Sequence, residues 1–86
     1  MMTATGSEIK KMDDILAMLE RCSASEASNM AHEHIQEART YLLGAMHSEY
    51  KMNLGLALEA VAQMPNDHVR SETENALTSL IDNAAI

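Results

Sequence analysis

The chain has 86 residues, a formal net charge of −7, one cysteine, two tyrosines and neither phenylalanine nor tryptophan. This length allows one domain spanning residues 1–86, and no segment approaches the run of about 20 apolar residues that crosses a bilayer. We therefore expect no membrane among the partners, and we expect no nucleic acid because the negative charge repels phosphate backbones.

The first predicted helix covers residues 7–22, after a flexible tail at 1–6. Thr5 and Glu8 have the spacing of a capping box, which places the helix start beside them. Apolar residues then recur at intervals of three and four, as on one face of a helix. They are Ile9, Met12, Leu16 and Leu19. Cys22 follows, and a lone thiol is typical of a reducing compartment, so we expect a cytoplasmic protein.

The second predicted helix is long and continuous over residues 24–64. Ser23 and Glu26 have capping-box spacing at its start, and Pro65 ends it because proline disfavours helical geometry in the preceding residue. The glycine at position 44 costs a helix only about 1 kcal/mol. Such a helix is roughly 60 Å long, whereas a compact globule of this size is only about 30 Å across.

Two all-α architectures resolve this mismatch. In the favoured one, three helices including a last one over 67–83 form a bundle by homodimerisation along the long helix. In the alternative, the long helix breaks near Gly44 to Ser48 and one chain forms a four-helix bundle. Residues 54–58 are apolar all round, which indicates burial on more than one side and favours a partner. The predicted partner interface is Leu42, Met46, Tyr50, Leu54, Leu58 and Val61.

Polar residues on the long helix suggest a second class of function, a metal site. His34 and Glu37 share a helix face at i,i+3, and His47 follows a few turns later. Imidazole and carboxylate ligands at such spacing hold zinc or iron. The four-helix di-iron pattern has glutamate before histidine on each of two helices, which is the reverse of the single pair found here. We therefore expect no metal or other cofactor, and keep His34, Glu37 and His47 as the alternative.

A third interpretation makes His47 a phosphoryl carrier. Histidine phosphotransfer domains are four-helix bundles with an exposed histidine in mid-helix, and a lysine and then a glycine follow it. Here Lys51 lies four residues after His47, and Met52 stands where the glycine would be. The motif is therefore not matched, and the phosphocarrier ranks below the metal site.

The sequence contains no complete set of catalytic residues, so we expect no enzyme. Excess apolar residues and an acidic exterior are typical of an interaction module. We predict a small cytoplasmic, non-enzymatic protein–protein interaction or regulatory module. It is expected to form a homodimer, and a further protein is a second candidate partner.

Overall fold

The computed structural model describes residues 3–21, 25–64 and 68–84, all of which belong to helices or to short connections. Its four helices are α1 (Thr3–Arg21), α2 (Glu26–Leu43), α3 (His47–Val61) and α4 (His68–Ala84). The all-α prediction is therefore confirmed. α1 begins four residues before the predicted start, so the predicted tail is helical from Thr3 onward.

The predicted continuous helix over 24–64 is wrong, because the chain turns between Leu43 and His47. The backbone amide of Met46 donates to the carbonyl of Tyr41 at 2.8 Å, and that of Ala45 donates to Leu42 at 3.1 Å. These two bonds form the Schellman arrangement that ends a helix. Ala45 has φ 59°, the left-handed conformation that this arrangement requires. The break near Gly44 thus occurs, but the residue that reverses the chain is the alanine after the glycine.

The start of α2 also differs from the prediction. The N-cap is Ser25, whose hydroxyl accepts a hydrogen bond from the backbone amide of Ser28 at 3.1 Å. The Ser28 hydroxyl in turn accepts from the Ser25 amide at 2.9 Å, so two serines form the capping box. The predicted box used Ser23, which lies outside the described residues, as do Cys22 and Pro65.

Each helix packs against its two neighbours in the order α1, α2, α3, α4, and α4 closes the ring by contacting α1. Side-chain contacts show the direction of packing. Arg39 Nε lies 2.9 Å from Asp13 Oδ1, and His32 Nε2 lies 3.0 Å from Glu20 Oε2, so α1 and α2 are antiparallel. The result is an up-and-down four-helix bundle measuring 37 × 19 × 19 Å.

One chain supplies the whole core of this bundle, so the prediction that the bundle requires homodimerisation is wrong. α3 is covered by α2 on one side and by α4 on the other, which explains why residues 54–58 are apolar almost all round. Leu54 and Ala57 in that segment are fully buried. The described core consists of Met12, Ile15, Leu19, Ala31, Ile35, Ala38, Leu42, Tyr50, Leu54, Ala57, Ala60, Val61, Met64, Leu77 and Leu80.

Candidate binding surface on α2 and α3

Several large apolar side chains stay outside this core. Met30 on α2 is 47% exposed, and Met52 and Leu56 on α3 are 63% and 38% exposed. Met52 and Leu56 are four residues apart, so they lie on the same side of α3. Leu43 and Met46 are also exposed, but they lie at the turn between the two helices. The large apolar side chains that are exposed among the described residues thus belong to the α2–α3 hairpin.

Met30 and Leu56 line one groove on the outside of the hairpin, with a cavity volume of about 440 Å³. Small residues allow the two helices to approach closely beneath it, since Ala27 of α2 and Ala60 of α3 also line this space. The α2–α3 groove is defined here by its lining residues. They are Ser25, Glu26, Ala27, Met30, His34, Leu56, Glu59, Ala60 and Gln63.

The imidazole ring of His34 lines the groove, and its side chain is 21% exposed. Its Nδ1 lies 3.6 Å from Glu37 Oε1, as the i,i+3 spacing predicts. That distance is too long for a hydrogen bond, and the buried Nδ1 has no other hydrogen-bond partner among the described residues. His34 therefore contributes surface to the groove, while its inner nitrogen makes no hydrogen bond to the described residues.

The charge around the groove is negative. Glu26 and Glu59 line it and are both exposed. Within the described part of the chain, neither glutamate forms an ion pair with a lysine or arginine. The arginine of α2, Arg39, points away from the groove because it pairs with Asp13 of α1. The groove thus combines apolar walls with uncompensated carboxylates at its edge.

The structure distributes the six residues of the predicted partner interface between core and surface. Four of them are buried within this chain's own bundle, namely Leu42, Tyr50, Leu54 and Val61. Leu58 is partly buried against the same core. Only Met46 is substantially exposed, at 46%. A partner surface on the folded chain therefore has to be drawn from residues other than the buried four.

Sequence reasoning did not single out Met30, Met52 and Leu56 as exposed. A continuous helix over 24–64 places Met30 and Leu56 about 39 Å apart at 1.5 Å per residue, whereas the turn at Ala45 brings both to one groove. A usable signal was the spacing of Met52, Leu56, Glu59 and Gln63, which share one side of a helix. This spacing indicates an exposed face of α3 only if the helix is taken to break near Gly44.

The candidate metal ligands do not come together in the single chain. His34 and Glu37 are neighbours on α2, but His47 is exposed at the first position of α3. Among the residues that the structure describes, no three histidine, cysteine, aspartate or glutamate side chains are grouped so as to hold a metal ion. The position of His47 at a helix start also differs from the mid-helix position that the phosphocarrier interpretation requires.

Among the described residues, Tyr50 is a buried side chain whose pKa is shifted far from its ordinary value. It is 1% exposed, and its hydroxyl donates to Glu8 Oε2 at 3.2 Å. Burial raises its pKa well above the ordinary value near 10, and the negative charge of Glu8 and the hydrogen bond to it add to the rise. A phenol held neutral in this way is a structural group and not an available base.

Comparisons with protein-family models, curated proteins and solved structures found no match for this chain. No helix in residues 3–21, 25–64 and 68–84 is both long enough and apolar enough to cross a membrane.

Proposed function

We propose that this chain is a small, cytoplasmic, non-enzymatic protein–protein interaction module that binds its partner through the α2–α3 groove. The observation that carries the proposal is the contrast between a complete core and a localised exposed surface. Met30, Met52 and Leu56 remain exposed on adjoining helices although the bundle is closed around its own core. Clustered apolar side chains that are rimmed by polar residues are typical of interaction sites.

The contacts of His32 and His34 support the non-enzymatic part of the proposal. His32 pairs with Glu20 at 3.0 Å, and His34 lies beside Glu37. A serine, threonine or cysteine nucleophile that a histidine activates lies within hydrogen-bond reach of that histidine. Within the described ranges, neither histidine is hydrogen-bonded to a serine, threonine or cysteine.

The proposal is tested by site-specific photo-crosslinking in the cells that make the protein. A crosslinking amino acid at position 56 is expected to capture a defined partner, and the same group at exposed Ala17 on α1 is expected to capture none. Introducing Met30→Ser into the position-56 probe should abolish capture, whereas Leu43→Ser should not, although Leu43 is the more exposed side chain. Equal capture from positions 56 and 17, or capture that survives Met30→Ser, contradicts the proposal.

The homodimer stays a separate prediction. It was predicted from a continuous helix over residues 24–64, and the structure has two shorter helices there instead. Sedimentation over a wide concentration range tests it directly. A mass near twice 9.4 kDa at all concentrations confirms self-association, and a constant mass near 9.4 kDa contradicts it.

A further inference from the structure

We infer that the α2–α3 groove binds a basic amphipathic helix of another protein. In this arrangement, apolar side chains of the partner pack between Met30 and Leu56, and its lysine or arginine side chains lie against Glu26 and Glu59. The inference rests on the proposed function, because it names the class of partner for the same groove.

The shape of the groove favours a helical partner. It lies between two antiparallel helices, and its lining residues fall within 25–34 and 56–63, which corresponds to walls about 10–14 Å long. Met30 and Leu56 stand on opposite walls of this groove, and the exposed Met52 follows one turn along from Leu56. An added helix contacts both walls through side chains at i, i+3, i+4 and i+7, which is the usual way in which a helix binds in an apolar groove. Met30 suits this role because the flexible methionine side chain adapts to a partner.

Charge selects the kind of helix. Glu26 and Glu59 line the groove from opposite helices and are both exposed. Glu37 lies beyond His34 on α2, and its Oε1 lies 3.6 Å from His34 Nδ1. No lysine or arginine among the described residues pairs with Glu26, Glu37 or Glu59. Complementary potentials across an interface promote association and suppress partners of the same sign.

The arginine and lysine of α2 and α3 do not neutralise the carboxylates of the groove. Arg39 is held by Asp13 of α1 at 2.9 Å. Lys51 is five residues before Leu56, so it lies about 140° around α3 from the groove. Two copies of the groove placed face to face bring Glu26 and Glu59 of both chains together without an opposing charge. A second copy of this chain is therefore disfavoured as the occupant, and a basic helix is favoured.

The test uses the full-length protein labelled with ¹⁵N and two synthetic 18-residue helical peptides with identical leucine positions. One peptide carries lysine on its polar face and the other carries glutamate. We expect the lysine peptide to shift the amide signals of residues 26–34 and 56–63, and its affinity to fall as salt is raised. The glutamate peptide is expected to bind at least about tenfold more weakly, since it lacks the opposite charge that steers and orients binding.

Matched variants separate the groove from general attraction to an acidic protein. Met30→Ser with Leu56→Ser is expected to weaken binding of the lysine peptide about tenfold or more, because the apolar contacts are lost. Glu26→Gln with Glu59→Gln is expected to weaken it about three- to tenfold. The control, Glu72→Gln with Asp82→Asn on α4, removes the same charge from exposed positions elsewhere and is expected to leave affinity within twofold. Melting temperatures are measured for every variant to verify folding.

Four outcomes overturn the inference. If the control variant weakens binding as much as Glu26→Gln with Glu59→Gln, the peptide binds by net charge alone. If the glutamate peptide binds as well as the lysine peptide, the groove selects apolar helices without regard to charge, and the proposed function stands while this inference fails. Self-association that is lost in Met30→Ser with Leu56→Ser makes a second copy the occupant. If neither peptide shifts the groove while crosslinking from position 56 still captures a partner, that partner is not a basic helix.

Discussion

The hydroxyl of Tyr50 in α3 donates a hydrogen bond to the carboxylate of Glu8 in α1 across a distance of 3.2 Å. These two helices are diagonal neighbours in the bundle, whose adjacent pairs are α1–α2, α2–α3, α3–α4 and α4–α1. The bond therefore joins elements that do not otherwise pack side by side. Because Tyr50 is 1% exposed, its phenol titrates only at the expense of folding.

The first prediction concerns stability at alkaline pH. The pKa of Tyr50 is raised in the folded state, by burial first and then by Glu8. Its contribution to stability is complete below the unfolded pKa near 10 and is lost as pH rises beyond it. We expect the free energy of unfolding to fall above pH 10 by up to about 1.4 kcal/mol per pH unit from this group. Urea unfolding followed by circular dichroism between pH 8 and 11.5 measures the slope.

The matched control for this prediction is Tyr50→Phe, which keeps the ring and removes the titrating group. Its unfolding free energy should fall less steeply above pH 10 than that of the wild type. Identical slopes for the two proteins would show that other groups cause the alkaline loss and that Tyr50 is not held neutral by the fold.

The second prediction concerns the turn that ends α2. Ala45 has φ 59°, a conformation that costs a residue with a Cβ about 1–2 kcal/mol. Ala45→Gly removes that cost and adds flexibility to the unfolded chain, so we expect a net gain of about 0.5–1 kcal/mol in the free energy of unfolding. Thermal and urea unfolding of the variant measure this gain.

The neighbouring glycine provides the control for the turn. Gly44 has φ −88°, and a Cβ built there lies 3.6 Å or more from its nearest neighbours, which is ordinary contact. Gly44→Ala should therefore leave stability unchanged or raise it slightly. A loss of about 1 kcal/mol in Gly44→Ala, with none gained in Ala45→Gly, would place the left-handed residue at 44 and contradict the prediction.

These two positions show where sequence reasoning reached its limit. The apolar spacing of α1 identified Met12 and Leu19, and both are buried. The turn was predicted only as the alternative because alanine is the best helix former, so Ala45 gives no local signal for a left-handed conformation. Breaking the helix becomes favourable only through the contacts that α2 and α3 then make with each other. Such long-range gains are not visible in local spacing.

The candidate site followed the same pattern. The proximity of His34 and Glu37 was predictable because both lie on one helix at i,i+3, and His34 Nδ1 lies 3.6 Å from Glu37 Oε1. The groove was not predictable, because Met30 and Leu56 belong to different helices and meet only after the chain reverses at Ala45. Contacts within a helix can be read from spacing, but contacts between helices require the topology.

The third prediction concerns a buried hydroxyl in α4. Thr73 is fully buried, and its Oγ1 has no hydrogen-bond partner among the described residues. Thr73→Val replaces the hydroxyl with a methyl group of similar shape and removes the cost of burying an unpaired polar atom. We expect a gain of about 1 kcal/mol in the free energy of unfolding, measured by urea denaturation. The exposed Thr78→Val is the control and should change stability by less than about 0.5 kcal/mol; equal effects at both positions would contradict the role of the buried hydroxyl.

The fourth prediction tests how closely the core is packed around α3. Ala57 is fully buried, and Ala60, one turn along, lies where α2 and α3 approach beneath the groove. Ala57→Leu adds volume without changing helix propensity greatly, so we expect a loss of about 1–3 kcal/mol from overpacking. Ala17→Leu makes the same change at an exposed position of α1 and should stay within about 0.5 kcal/mol. An Ala57→Leu protein as stable as the Ala17→Leu protein would mean that the core holds unfilled space beside α3, contrary to close packing.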